Sequence, residues 1–378
     1  MATSGCYFEN PITTSQTVDF HKELLASLIR ISIANPPVHT CSTGWSFSGF
    51  YSGPTSIAFL FYRLSQIYPD LEFEHQSLFE WAQAYLNLGT RLKKRAPSPN
   101  HCGIGDETLA HLALSAVMSE NASLAKQLCS YATSINPETD HGSNEWLYGR
   151  AGYLYLLRLC QTVFSDESHS TTAALLDRTI KSTVDRILAV PQPWLWHEKH
   201  YLGAAHGTIG IILQTVLSMP LVAPQLQPTL LELLEQQFPS GNFPSSLPAS
   251  SDRLVQFCHG APGLVISLRT LLPYFPESTD MIKKTISMAQ SDIWQRGLLV
   301  KEPSLCHGIA GNALALDQDN QFTHFLSFME SERIEQFIDD ARRDSARASL
   351  YEGEAGRAWC WAVADQCLPR TCIGYNDV

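Results

Sequence analysis

Two short stretches of the chain set soft-metal ligand types side by side: Cys258-His259-Gly260 and Cys306-His307-Gly308. Two thiols and up to two imidazoles brought to one point are zinc-ligand types, whereas held apart they are ordinary buried thiols of a reducing compartment. Linear spacing does not choose between these fates, because the cysteines lie 48 residues apart and neither belongs to a C-x-x-C pair. The choice rests with the elements that position them.

Those elements repeat. Seven segments share one pattern: one or two polar or aromatic residues, a glycine, two residues, a residue that is small in nearly every copy, then an apolar run of helical character. They begin at Tyr51, Cys102, Tyr148, Ala205, Cys258, Cys306 and Tyr351, and their first glycines (Gly53, Gly103, Gly149, Gly207, Gly260, Gly308 and Gly353) follow one another at 45–58 residues, averaging 50. About fifty residues suffice for two helices and their connections. Before the glycine marks, amphipathic periodicity recurs from His21, His75, Ala122, Thr172 and Thr229, while the segments after the marks are more apolar and richer in small residues. The pattern predicts an all-α fold: an α/α toroid, a double ring of seven inner and seven outer helices, with marks spanning about 51–363 of a single domain covering 1–378. The first glycine of each mark is expected to supply a left-handed turn, and the small residue three positions on, close helix packing. The proline-rich runs Ala96–Pro99, Met219–Pro228 and Phe238–Pro244 are read as connections.

Composition fits this reading. With 26 Lys and Arg against 37 Asp and Glu, the net charge of −11 disfavours a polyanion binder, and Lys93-Lys94-Arg95 is too short to reverse that. Only 17% of residues are charged and 44% are hydrophobic, which suits a large buried core rather than disorder. No stretch supplies the roughly 18 nearly continuous apolar residues of a membrane span. The N-terminus shows neither a secretory h-region nor a myristoylation glycine, so the chain reads as cytoplasmic, with peripheral membrane contact left open. The ten cysteines are expected to be mostly free thiols. Asp339-Asp340 with Asp344 is read as part of a solvated helix, and Cys360, Cys367 and Cys372 as free thiols.

In such a toroid the residue before each first glycine stands at the mouth of the ring. Ser52, Cys102, Tyr148, His206 and Glu352 occupy five of these places, and the two Cys-His pairs occupy the others. Adjacent repeats thereby bring the thiols together, and the favoured zinc set is Cys258, Cys306 and His307, with His259 close but not ligating. Three protein ligands leave a fourth position for water or substrate, the mark of a catalytic zinc site.

With these residues in view, the chain resembles the lanthionine synthetase C-like proteins, the eukaryotic relatives of bacterial lanthipeptide cyclases. The resemblance is carried by Glu145-Trp146-Leu147-Tyr148-Gly149-Arg150-Ala151-Gly152-Tyr153, Tyr201-Leu202-Gly203-Ala204-Ala205-His206-Gly207, Cys258-His259-Gly260-Ala261-Pro262-Gly263 and Leu305-Cys306-His307-Gly308 followed by Gly311-Asn312-Ala313. It implies a double toroid, one zinc ion on the three residues above, and a thiol as the substrate that zinc activates. Eukaryotic members add glutathione to dehydroalanine or dehydrobutyrine in proteins or peptides, a Michael addition that forms a thioether. A non-catalytic zinc- and glutathione-binding regulator and a true lanthionine cyclase acting on a precursor peptide are the competing readings. A toroidal glycosidase would need two facing carboxylates, and the marks offer Glu352 and little else.

The chemistry assigns further roles. Thiolate attack at the β-carbon leaves an enolate that needs a donor and then a proton. His206 matches the family's active-site histidine and is the expected acid/base group. His259 either protonates the enolate or orients Cys258, and Glu145 is placed to hold an imidazole or to stand solvated at a helix start. Glutathione brings two carboxylates, for which Lys301, five residues before Cys306 and matching a lysine of the eukaryotic relatives, is the first candidate cation. Its loop departs from the family's usual glycine-rich form by carrying Glu302 and Pro303. Arg150 and Arg253 are the other candidates.

Overall fold

The computed structural model describes residues 5–10, 18–38, 45–89, 96–249, 251–334 and 345–378. Lys93-Lys94-Arg95 and the Asp339, Asp340 and Asp344 group lie outside these residues. In chain order the helices are α1 (Phe20–Ala34), α2 (Pro54–Ile67), α3 (Leu78–Leu88), α4 (Glu107–Ser119), α5 (Ala122–Ser130), the single turn α6 (Ala132–Ile135), α7 (Arg150–Phe164) and α8 (Ser170–Ala189). They continue with α9 (Thr208–Ser218), α10 (Ala223–Leu234), α11 (Ala261–Leu271), α12 (Thr279–Arg296), α13 (Ile309–Leu314), α14 (Asp319–Ser327), the short α15 (Ser331–Ile334) and α16 (Glu354–Asp365). Two small antiparallel ribbons accompany them: β1 (Glu72–Phe73) with β2 (Gln76–Ser77), and β3 (His200–Tyr201) with β4 (Ser246–Leu247), the latter in the register His200 to Leu247 and Tyr201 to Ser246.

The helices after the glycine marks pack in sequence, α2 on α4, α4 on α7, then α9, α11, α13 and α16, and α16 packs back on α2. That closure makes the inner ring. The outer ring is α3, α5, α8, α10, α12 and α14, each against the inner helix that precedes it in sequence, with α1 against α16. The protein is therefore an α/α toroid, with its first helix completing the pair of its last. Burial follows position: α13 is buried throughout and α9 from Thr208 to Val216, whereas α8 buries only Thr172, Leu176, Thr179, Ile180, Thr183, Val184 and Ile187, the three-four spacing of a surface helix. Among the described residues no helix is long and apolar enough to cross a membrane.

Three expectations change. Of the first glycines of the seven marks, only Gly53 (φ 95°) and Gly260 (φ 111°) are left-handed; Gly149, Gly207, Gly308 and Gly353 are extended helix caps with negative φ. Space is the more general reason for glycine. A Cβ at Gly207 would lie 2.3 Å from the Leu202 backbone, and one at the second glycine of a mark, Gly263 or Gly311, 2.1 or 2.0 Å from the carbonyl oxygen of Phe257 or Leu305. The second mark differs again: α4 starts four residues after Gly103, capped by the Asp106 carboxylate on Leu109 N at 2.9 Å. Finally, Met219–Pro228 is only partly a connection. After a 3₁₀ turn at Pro220–Val222, α10 runs through Pro224 and Pro228. Both prolines are exposed, so water can take the carbonyl that Pro228 leaves unbonded, while Ala223, Leu226, Leu230 and Leu233 bury the apolar stripe.

A feature absent from the sequence reading fills the inner ring. Residues 371–378 thread among the inner helices, and the ring supplies donors for their backbone. Trp146 Nε1 donates to Gly374 O at 3.1 Å, Gln214 Nε2 to Tyr375 O at 2.7 Å, and Tyr351 Oη to Ile373 O at 2.5 Å. Asp377 receives Arg63 of α2 at 2.7 Å and Tyr155 of α7 at 2.9 Å. A loop can be buried only when its polar groups find such partners. Tyr375 is fully buried and meets Trp146 and Phe257 edge-on at 5.2 and 5.0 Å between ring centroids. Tyr375→Ala is expected to lower stability by about 3–5 kcal/mol, measured by denaturant unfolding; a loss below about 1 kcal/mol would show that the segment does not support the ring.

Candidate active site

The glycine-mark loops are joined edge to edge by backbone hydrogen bonds. Phe50 N donates to Ile104 O (2.9 Å), Cys102 N to Tyr148 O (2.8 Å), Trp146 N to Ala205 O (3.2 Å), Cys258 N to Cys306 O (3.1 Å), Cys306 N to Tyr351 O (2.9 Å) and Tyr351 N to Tyr51 O (3.1 Å). Between the fourth and fifth marks, Gly203 approaches Cys258 O so closely that a Cβ would stand 2.2 Å away. The repeats therefore place their mark residues around one mouth.

Cys258 and Cys306 meet there, both nearly buried. Their thiols hydrogen-bond each other; the hydrogen bond from Cys306 pulls the Cys258 thiol below its ordinary range against the effect of burial, and the same bond, with burial, pushes Cys306 well above it. The shared hydrogen bond thus sets the two thiols apart, easing ionisation of Cys258 and opposing that of Cys306. Gln256 Nε2 donates to Cys258 Sγ at 3.2 Å, and Tyr51 Oη to Cys306 Sγ at 3.3 Å. His307 also hydrogen-bonds Cys306 and favours its charged form. As the side chains lie, no three His, Cys, Asp or Glu groups among the described residues stand in a metal-holding array. The donor chemistry nonetheless fits zinc: two thiols in contact, and an imidazole on one of them.

The second half of the mouth is built on Glu145. Its carboxylate is 1% exposed and accepts from Leu147 N (2.9 Å), Tyr148 N (2.6 Å) and the Ser143 hydroxyl (3.4 Å). It also binds His206 Nδ1 at 2.8 Å, so the carboxylate takes the hydrogen on Nδ1, and Nε2 has no hydrogen-bond partner among the described residues. Trp196 lies flat on His206, centroids 3.8 Å apart and planes 3° from parallel. His259 stands 6.0 Å from His206 and 5.5 Å from Tyr201, ring to ring. Burial, and secondarily His206, lower the His259 pKa to about 4, and its Nδ1 is buried with no hydrogen-bond partner among the described residues.

The candidate cations separate clearly. Lys301 is exposed and donates to Gln256 Oε1 at 3.3 Å, which links it through one amide to Cys258. Arg253 is exposed on the loop before Cys258. Arg150 does not serve as expected: it is fully buried, and its guanidinium is taken up by Ile135 O, Asn136 Oδ1, His141 O, Asn144 Oδ1 and Asp140 O. It clamps the 135–144 loop under the third mark and has no donor set left for a carboxylate. Tyr51, Gln256, Trp196 and Tyr201 are site residues that sequence reading missed. Tyr51 and Tyr201 stood inside segments already singled out, but nothing in their spacing marked them; Gln256 and Trp196 gave no signal at all.

A closed double ring of seven helix pairs, with thiols and imidazoles gathered on the loops at one end, defines the class: an α/α toroid. The profile of the lanthionine synthetase C-like protein family matches residues 45–362, and the chain belongs to that family. It is 29% identical over 362 residues, 88% of this chain and 84% of the relative, to the Danio rerio protein named glutathione S-transferase LANCL1. Similarity to the Arabidopsis thaliana LanC-like protein GCL1 is 32% identity over 239 residues, 58% of this chain and 54% of that one. Among solved structures, nisin cyclase shares the fold with a TM-score of 0.56 at 13% identity, over 93% of this chain and 95% of that one.

The buried imidazole of His259 gives a stability signature. An unfolded histidine protonates near 6.5 and this one only near 4, so between those values the unfolded state holds more protons and stability falls as pH falls. In chelator-stripped protein the loss across that window is expected to reach about 3 kcal/mol, and His259→Asn should flatten it, as read from urea unfolding at a series of pH values. An equally steep acid limb in the variant would assign it to other groups.

Proposed function

We propose that this protein adds a thiol, with glutathione the leading substrate, to dehydroalanine or dehydrobutyrine residues in proteins or peptides. The single observation that carries the reading is the pairing, across one mouth, of two thiols in contact, Cys258 and Cys306, with a Glu145–His206 dyad held at 2.8 Å. The name of the zebrafish relative supports glutathione as the thiol. Cys258, Cys306 and His307 would hold one zinc ion. When bound, zinc supplies a Lewis acid that lowers the pKa of a substrate thiol into the neutral range.

The reaction balances without an oxidant or reductant. The substrate sulfur bonds to the β-carbon as the π pair moves toward the carbonyl, and the proton released by the thiol returns to the α-carbon. His206 Nε2 carries that proton, its other nitrogen held by Glu145, so the ring does not turn while protonation changes. His259 is neutral at pH 7, given its depressed pKa, and stands close enough to share the transfer. Lys301 offers an ammonium to a glutathione carboxylate beside the thiol pair, and Arg253 a second cation.

Metal analysis followed by incubation with glutathione and a dehydroalanine peptide, read by mass, tests the reading. One zinc per chain is expected, lost in Cys258→Ala and Cys306→Ala. Adduct formation should fall about 100- to 10,000-fold in His206→Ala with zinc retained. A zinc-free native protein would overturn the ligand assignment, and an unchanged rate in His206→Ala would remove that residue from the mechanism.

A further inference from the structure

We propose that Trp196 is a positioning residue that holds His206 in its working orientation; its catalytic consequence rests on the function proposed above, but its geometry does not. The Glu145 carboxylate fixes only one atom of the imidazole, Nδ1, at 2.8 Å. A ring pinned at one nitrogen can still swing out of plane about its side-chain torsions, and an angular error at Nε2 is costly for proton transfer. The indole removes that freedom by lying on the imidazole face at 3.8 Å and 3°.

Among the described residues no other ring does this. Tyr148 is near-parallel to His206 but 6.0 Å away, while Tyr201 at 6.2 Å and His259 at 6.0 Å are inclined by 61° and 37°. Trp196 is itself firmly placed. Its backbone exchanges two hydrogen bonds with Lys199, Trp196 N to Lys199 O at 3.0 Å and Lys199 N to Trp196 O at 3.1 Å. The two residues between them, His197 and Glu198, are both left-handed (φ 46° and 63°), the geometry of a tight two-residue hairpin turn. Tyr148 and Tyr201 flank the indole, stacked at 6.3 Å and tilted by 64° at 5.5 Å. A half-buried aromatic on a rigid turn whose closest ring contact within the site is a candidate catalytic imidazole is built to position that imidazole.

The test compares Trp196→Leu and Trp196→Phe with the native full-length protein by two readouts. The first is the low-field proton NMR signal of the hydrogen on His206 Nδ1, identified by its absence in Glu145→Ala. It is expected in the native protein, lost or strongly broadened in Trp196→Leu, and largely restored in Trp196→Phe, with unchanged circular dichroism. The second is steady-state thiol addition. Trp196→Leu should lower kcat about 10- to 100-fold, leave KM for both substrates within about twofold and keep the metal content, while Trp196→Phe recovers most of kcat. Persistence of the proton signal in Trp196→Leu overturns the proposal, as does a rise in KM at constant kcat, which would make the indole a substrate platform. If the native protein adds no thiol yet the signal vanishes in Trp196→Leu, positioning stands and the thiol-addition reading fails. Should Trp196→Leu not fold, Trp196→Phe decides: a native signal with near-native kcat upholds the proposal, and a lost signal in folded protein overturns the view that a flat aromatic face suffices.

Discussion

The circuit of backbone hydrogen bonds joining the glycine-mark loops is the constraint on which the rest depends. Its members include Cys258 N to Cys306 O and Cys306 N to Tyr351 O, so the bonds that close the ring also set the register of the two thiols. Each bond needs the loops to approach closely, and that is why side-chain space vanishes at Gly103, against Leu147 O, and at Gly203, against Cys258 O. Two thiols in hydrogen-bond contact need close placement, and here it comes from the main-chain bonds of their own loops.

Under this circuit the interior is organised to keep it from shifting. Trp146, Phe257 and Tyr351, neighbours in sequence of Glu145, Cys258 and Glu352, form one aromatic cluster with Tyr375. The segment that brings Tyr375 there is itself satisfied by donors from the inner ring, including Gln214 and Trp146. The loops at the mouth are thus backed by a buried aromatic cluster and by a segment whose backbone carbonyls find donors.

Much of this could be read along the chain, and the misses share a cause. The repeat showed that Cys258 and Cys306 converge, because equal spacing in a closed ring puts equivalent residues at one end. Glu145 and His206 belong to adjacent repeats and meet for the same reason. Arg150 was misread because position in a repeat tells where a backbone sits, whereas its long side chain turned inward to the 135–144 loop. Pro228 was misread because local propensity yielded to an apolar stripe that tertiary packing rewards. Gln256 and Trp196 left no trace, since neither sits at a repeated position.

The sequence by itself determined the number of units, the two-ring architecture and the convergence of the two Cys-His pairs, because periodic glycine and apolar patterning is a backbone property repeated at every turn of the ring. Only the tertiary structure decided which thiol of the pair is the more acidic, that Trp196 covers His206, that Arg150 is a clamp, and that residues 371–378 fill the interior. Those outcomes depend on non-repeating side-chain contacts between residues distant in sequence, and no period records them.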